Sequence, residues 1–147
     1  MAEQQSKLDE MIGLIDGITR EEGRIKTIIP FLTIVRNTQQ TPPIPSVLTP
    51  SFCLILQGTK RLQFAQDIVD CQPGNFLASV INMPTSAQVM GASRLSPYMG
   101  LRMDLTTKEI ASPPTFTDNG EYQTKPPSLT VGPLSPTVEE RLLRRAA

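Results

Sequence analysis

The side chains of this sequence that could do chemistry are an arginine, a tyrosine, a lysine and two cysteines set among β-prone runs, and histidine is absent. In Tyr98 to Leu105, alternation would put Tyr98, Gly100, Arg102 and Asp104 on one face of a strand and Met99, Leu101, Met103 and Leu105 on the other. The expectation is one core face and one charged face. Arg102 could fix an anionic ligand by bidentate hydrogen bonds, and the simpler account is a solvated strand residue paired with Asp104 or a neighbour. Cys53 or Cys71 could sense electrophiles, but a reactive thiolate needs a nearby cation or helix N-terminus. Cys53 lies in an apolar run, where free cysteine behaves as a small hydrophobe. Gln57-Gly58-x-Lys60 could contact an effector or simply flank a glycine turn. Met83, Met90, Met99 and Met103 suit an adaptable pocket or core filling. The candidate ligand contacts are Cys53, Tyr98, Met99, Arg102 and Met103.

Zero histidine removes the usual general base near neutral pH, the usual zinc ligand and every imidazole-dependent serine or cysteine arrangement. No spacing for carboxylate-pair, lysine or cysteine catalysis stands out, so no catalytic residue, metal or cofactor is assigned. Fourteen basic and fourteen acidic residues cancel, which leaves no excess positive charge for nucleic acid or anionic membranes. The polar N-terminus has no signal-peptide apolar region, and no run reaches the roughly 18 to 20 apolar residues of a membrane span. A soluble cytoplasmic protein with reduced thiols is expected.

The elements that must position these groups come from a chain of 147 residues, 39% apolar, about the length of one domain. Leu8, Met11, Ile12, Ile15 and Ile18 fall at helical spacing, with Ser6 and Asp9 resembling a capping box, so a helix is expected over Ser6 to Ile18. Beyond Arg24 come short β-prone runs: Ile25 to Ile29, Leu32 to Arg36, Phe52 to Gln57, Lys60 to Phe64, Ile68 to Cys71, Phe76 to Ile81, Ser86 to Gly91 and Tyr98 to Leu105. Prolines and glycines punctuate them, which is the rhythm of an antiparallel sandwich or small barrel. Pro113, Pro114, Pro126, Pro127, Pro133 and Pro136 preclude long regular elements between Ser112 and Pro136, leaving a meander or linker. A helix is expected to start near Thr137, its Leu142 and Leu143 needing a partner, as in a dimer contact or the start of a longer protein's next segment.

With these strands in place, Pro42 to Leu105 resembles the N-terminal effector domain of AraC-type transcription regulators. The resemblance is to the branch reading P-S-x-C-x-x-x-Q-G-x-K, a hairpin, then D-x-G-x-x-L-x-x-S-x-x-x-P. Here those positions are Pro50, Ser51, Cys53, Gln57, Gly58, Lys60, Pro73-Gly74, Leu77, Ser79 and Pro84. It implies a cupin-like barrel that binds a small effector, followed by a dimerising helix and two helix-turn-helix units that bind promoter DNA. Those units would need about 100 further residues and a basic recognition helix, so the sensor half alone is expected. Two departures matter. Ala65-Gln66-Asp67 stands where the family usually has a glycine, so that bend is expected to be wider or strained, and a metal-binding cupin's histidine cluster is missing.

The expected architecture is mainly β: a cupin-like double-stranded β-helix (jelly-roll barrel) over 25–111, preceded by an N-terminal helix and lead-in over 1–24. A Pro-rich meander over 112–136 and the start of a dimerisation or linker helix over 137–147 follow. The expected function is effector sensing and homodimerisation in a transcription regulator that reaches promoter DNA through a C-terminal domain, with no membrane partner. The alternatives are a small metal-independent cupin-like enzyme, an isomerase or lyase using Lys60, Tyr98 or a carboxylate, and a purely structural dimer module with a packed barrel.

Overall fold

A computed structural model describes residues 2–18, 20–106, 108, 123–125 and 129–133. Its elements are α1 (Ala2–Ile18), β1 (Gly23–Lys26), β2 (Leu32–Asn37), β3 (Ile44–Leu48), β4 (Ser51–Gln57), β5 (Lys60–Phe64), β6 (Asp67–Cys71), β7 (Asn75–Ser79), β8 (Met83–Val89), β9 (Tyr98–Asp104), β10 (Gln123–Lys125) and β11 (Leu129–Pro133).

Strand pairing defines the architecture. β5 pairs with β6, β4 with β7, β3 with β8 and β2 with β9, each pair antiparallel and nested inside the next. Successive pairs alternate between two sheets, ordered β1-β2-β9-β4-β7-β11-β10 and β3-β8-β5-β6. A long hairpin wound in this way is a double-stranded β-helix, the cupin-like jelly roll expected from the sequence.

Alternation along each strand fills two cores. Cys53, Ile55, Leu62, Phe64, Leu77 and Tyr98 point between the sheets. Phe52, Leu54, Leu56, Phe76, Met99 and Met103 point outward from the larger sheet, where Leu8 and Ile15 of α1 cover them. The charge-free Phe52 to Leu56 run is thus buried on both faces. Arg36, also on the outward face, donates from Nη1 to Asp16 Oδ1 at 2.6 Å and ties α1 to β2.

Several expectations change. The helix begins at Ala2, so Ser6 is no cap, and Asp9 instead accepts a 3.0 Å hydrogen bond from Gln5. β3, which carries Pro45, was hidden by that proline; among the described residues it lies at a sheet edge and pairs only with β8, so a missing N–H is tolerated. The larger sheet also extends past residue 111, because β11 pairs with β7 and β10 with β11. β9 does not divide into a core face and a charged face: Tyr98 is buried in the inner core while Met99 and Met103 are buried in the outer one. The expected helix over 137–147, with Leu142 and Leu143, lies outside the described residues.

The β5–β6 bend holds Ala65 at φ 52°, the left-handed region where a Cβ is unfavourable. Ala65→Gly is expected to stabilise the domain by about 0.5–1 kcal/mol, the relieved strain exceeding the extra entropy of the unfolded glycine. A denaturant midpoint that moves downward would show that this bend stores no strain.

Candidate functional site

The barrel is open along one seam, between the β1–β2 side of the larger sheet and the β3–β8 side of the smaller one. A cavity of about 290 Å³ sits there, its walls including Arg24, Val35 and Tyr98 from the first side and Ile44, Lys60 and Val89 from the second. Behind it a recess of about 50 Å³ reaches Cys53, Gly100 and Arg102. Arg24, Val35, Lys60 and Tyr98 border both spaces and form a waist between them.

Local rules place each of these groups. On β5, Lys60 shares a face with Leu62 and Phe64, and that face turns inward. Arg24 stands opposite Val35 in the β1–β2 pair, the position that faces the seam. Tyr98 folds over Gly100, where an added Cβ would sit 3.2 Å from the phenolic oxygen. Burial raises the Tyr98 phenol above its ordinary pKa, with Cys53 and Cys71 adding to the shift, so the ring presents an O–H donor. Burial likewise pushes the Cys71 thiol up to about 11, and Lys60 offsets this only in part. Thr41 secures the rim: its backbone N–H donates to Val89 O, and its hydroxyl accepts from Val89 N–H, both at 3.0 Å.

The structure separates the five candidate contacts. Cys53, Tyr98 and Arg102 border the recess, whereas Met99 and Met103 lie on the other side of the same sheet against the α1 layer. Arg102 is engaged already: its Nη2 donates to Thr49 Oγ1 and its Nε to Asp104 Oδ1 at 3.2 Å, with the side chain 15% exposed. Its pairing with Asp104 is the simpler of the two accounts drawn from sequence.

The motif that carried the family resemblance is mostly scaffold. Ser51 Oγ donates to Thr49 O and Ser79 Oγ to Ile81 O, each at 2.8 Å, fixing two strand ends. Gln57 Nε2 donates to Pro97 O at 2.8 Å, and Gly74 N–H donates to Ile55 O at 2.8 Å. Lys60 is the exception, since it faces the cavity. Lys60, weighed with Gln57-Gly58 against a glycine turn, was not among the five candidate contacts, and neither was Arg24. The parity of Lys60 with Leu62 and Phe64 was a usable signal for a lysine on a buried face, whereas nothing local to Arg24 indicates that it borders the same cavity as Lys60.

Among the described residues, no group of three His, Cys, Asp or Glu side chains could hold a metal ion, and no helix is long and apolar enough to cross a membrane.

No curated protein matches the sequence at a significant level. Among solved structures, the unsaturated-fatty-acid-bound form of ToxT from Vibrio cholerae strain SCE256 is similar at TM-score 0.51 and 11% identity, covering 84% of this chain and 46% of that one. This chain therefore spans less than half of ToxT's length. A cupin-2 domain protein from Shewanella frigidimarina aligns at TM-score 0.41 and 10% identity, over 64% of this chain and 92% of that one. The family described as AraC-type transcriptional regulator N-terminus matches residues 28–146. With a match over most of its length, the chain belongs to the family of AraC-type transcriptional regulator N-termini.

Proposed function

We propose that the domain senses its small-molecule effector in the seam cavity and does no chemistry on it. The observation that carries this is the cavity itself, about 290 Å³ and walled by both sheets, at the lower end of the roughly 300–1,000 Å³ of small-ligand sites. ToxT, whose fold is shared, was solved with a fatty acid bound, which supports a small molecule as the occupant here. Among the described residues no carboxylate, histidine or thiolate lines the larger space; Lys60 and Tyr98 do, and burial keeps the Tyr98 phenol protonated. In a whole regulator the domain would act as a homodimer in the cytoplasm and reach promoter DNA through a further domain. Leu142 and Leu143 are the proposed dimer contacts. An effector can shift such a regulator only by binding one arrangement more tightly than the other.

The test is a thermal-shift screen of small metabolites against wild type and Ala87→Phe, whose ring would fill the cavity from β8. A ligand at 100 times its Kd adds about 2.7 kcal/mol, or about 5–10 °C in Tm for a domain of this size. Stabilisation that Ala87→Phe abolishes supports the site. Stabilisation that survives the ring places the effector elsewhere.

A further inference from the structure

Charge in the cavity is one-sided. Arg24 and Lys60 border both spaces, and among the described residues none that lines either is acidic. Arg102, the other cation nearby, is neutralised by Asp104. Among the described residues neither Arg24 nor Lys60 has a hydrogen-bonded or ion-pair partner, although the chain carries as many acids as bases. Two cations facing one space repel each other, and an anion between them reverses the sign of that interaction.

The remaining wall combines polar Asn37, Thr41, Ser46 and Gln88 with an apolar part. Val35, Ala87 and Val89 line it, and Ile44 stands at its mouth 49% exposed, an apolar side chain that water wets in the free domain. An occupant that covered Ile44 would remove that surface from water, which a small inorganic anion cannot do. Tyr98, protonated at the waist, supplies a neutral hydrogen-bond donor beside the two charges.

From this arrangement we infer that the effector is an amphipathic monoanion: a carboxylate held at the waist by Arg24 and Lys60, with a short apolar chain lying along Val35, Val89 and Ile44. This rests on the seam cavity being the effector site. It adds the ligand's charge and polarity, and it assigns Arg24 and Lys60 as the residues that select for them.

The experiment uses isothermal titration of the whole chain with octanoate, octanol, octylamine and acetate. Octanoate is expected to bind at least tenfold more tightly than octanol, octylamine or acetate. Arg24→Gln and Lys60→Gln are each expected to weaken octanoate about tenfold while leaving octanol within twofold, and the exposed Lys26→Gln should leave both unchanged. Because Arg24 is exposed and Lys60 half-buried, neither change removes core packing. If octanol binds as tightly as octanoate, and Ala87→Phe abolishes both, the charge inference fails and the cavity stands. If acetate matches octanoate, the apolar part fails. If Ala87→Phe leaves octanoate binding intact, the cavity reading itself fails.

Discussion

Phe76→Ala is expected to lower the unfolding free energy by about 3–5 kcal/mol, the cost of truncating a fully buried aromatic residue. Phe76 is 0% exposed and stacks on Phe52, with ring centroids 5.1 Å apart and planes 12° from parallel. It stands on β7, between β4 and β11, in the layer that α1 covers. The backbone on either side is held by ladder hydrogen bonds, so the space left by the ring cannot collapse cheaply. For a domain of this size the loss is a fall in Tm of about 10 °C or more. Chemical denaturation monitored by far-UV circular dichroism measures it, and a change under about 1 kcal/mol would mean that the outer layer is not packed as described. Below the transition, effector affinity should be little altered, because Phe76 faces away from the cavity.

Gly58→Ala should destabilise by about 2–4 kcal/mol and weaken effector binding as well. Gly58 has φ 83°, which costs a non-glycine residue about 1–2 kcal/mol. An added Cβ would also lie 2.5 Å from Gly91 O and 3.0 Å from Tyr98 Cα, both backbone atoms that no rotamer change can move. Separating these segments breaks the 2.8 Å hydrogen bond from Met90 N–H to Thr59 O, and it shifts Tyr98 and Lys60, which sit on either side of the contact. Gly13 is the control with opposite sign. A Cβ there meets nothing within 4 Å on an exposed helical position, so Gly13→Ala should stabilise by up to about 1 kcal/mol. Equilibrium unfolding of the two variants side by side tests the pair, and equal effects would refute the close approach at Gly58.

Strands were legible where composition and parity agreed. Phe52 to Gln57 and Lys60 to Phe64 lie within one residue of β4 and β5, because uninterrupted apolar character and alternation are direct consequences of burial on two faces or one. Parity could not say which face of β9 is wet, since α1 covers one side and the smaller sheet the other. A tyrosine beside an arginine looks like surface until its cover is known. β3 and β11 were obscured by Pro45 and Pro133, whose cost depends on whether a neighbouring strand needs the missing donor. The cavity was the least legible feature. Arg24 and Lys60 border the same space only because the β1–β2 pair lies across the seam from β5, a fact of topology that no window of sequence contains.

The nesting of the strand pairs also sets an order of assembly. β5 and β6 close across Ala65-Gln66 alone, whereas bringing Leu32 to Met103 requires everything between them to be looped out first. Loop-closure entropy therefore favours zipping from the innermost hairpin outward, each formed pair shortening the effective loop for the next. The strands that frame the seam belong to the outermost turns of the winding. They are the last to lock and the first to fray, so the seam proposed to admit the effector is also where the barrel begins to unwind.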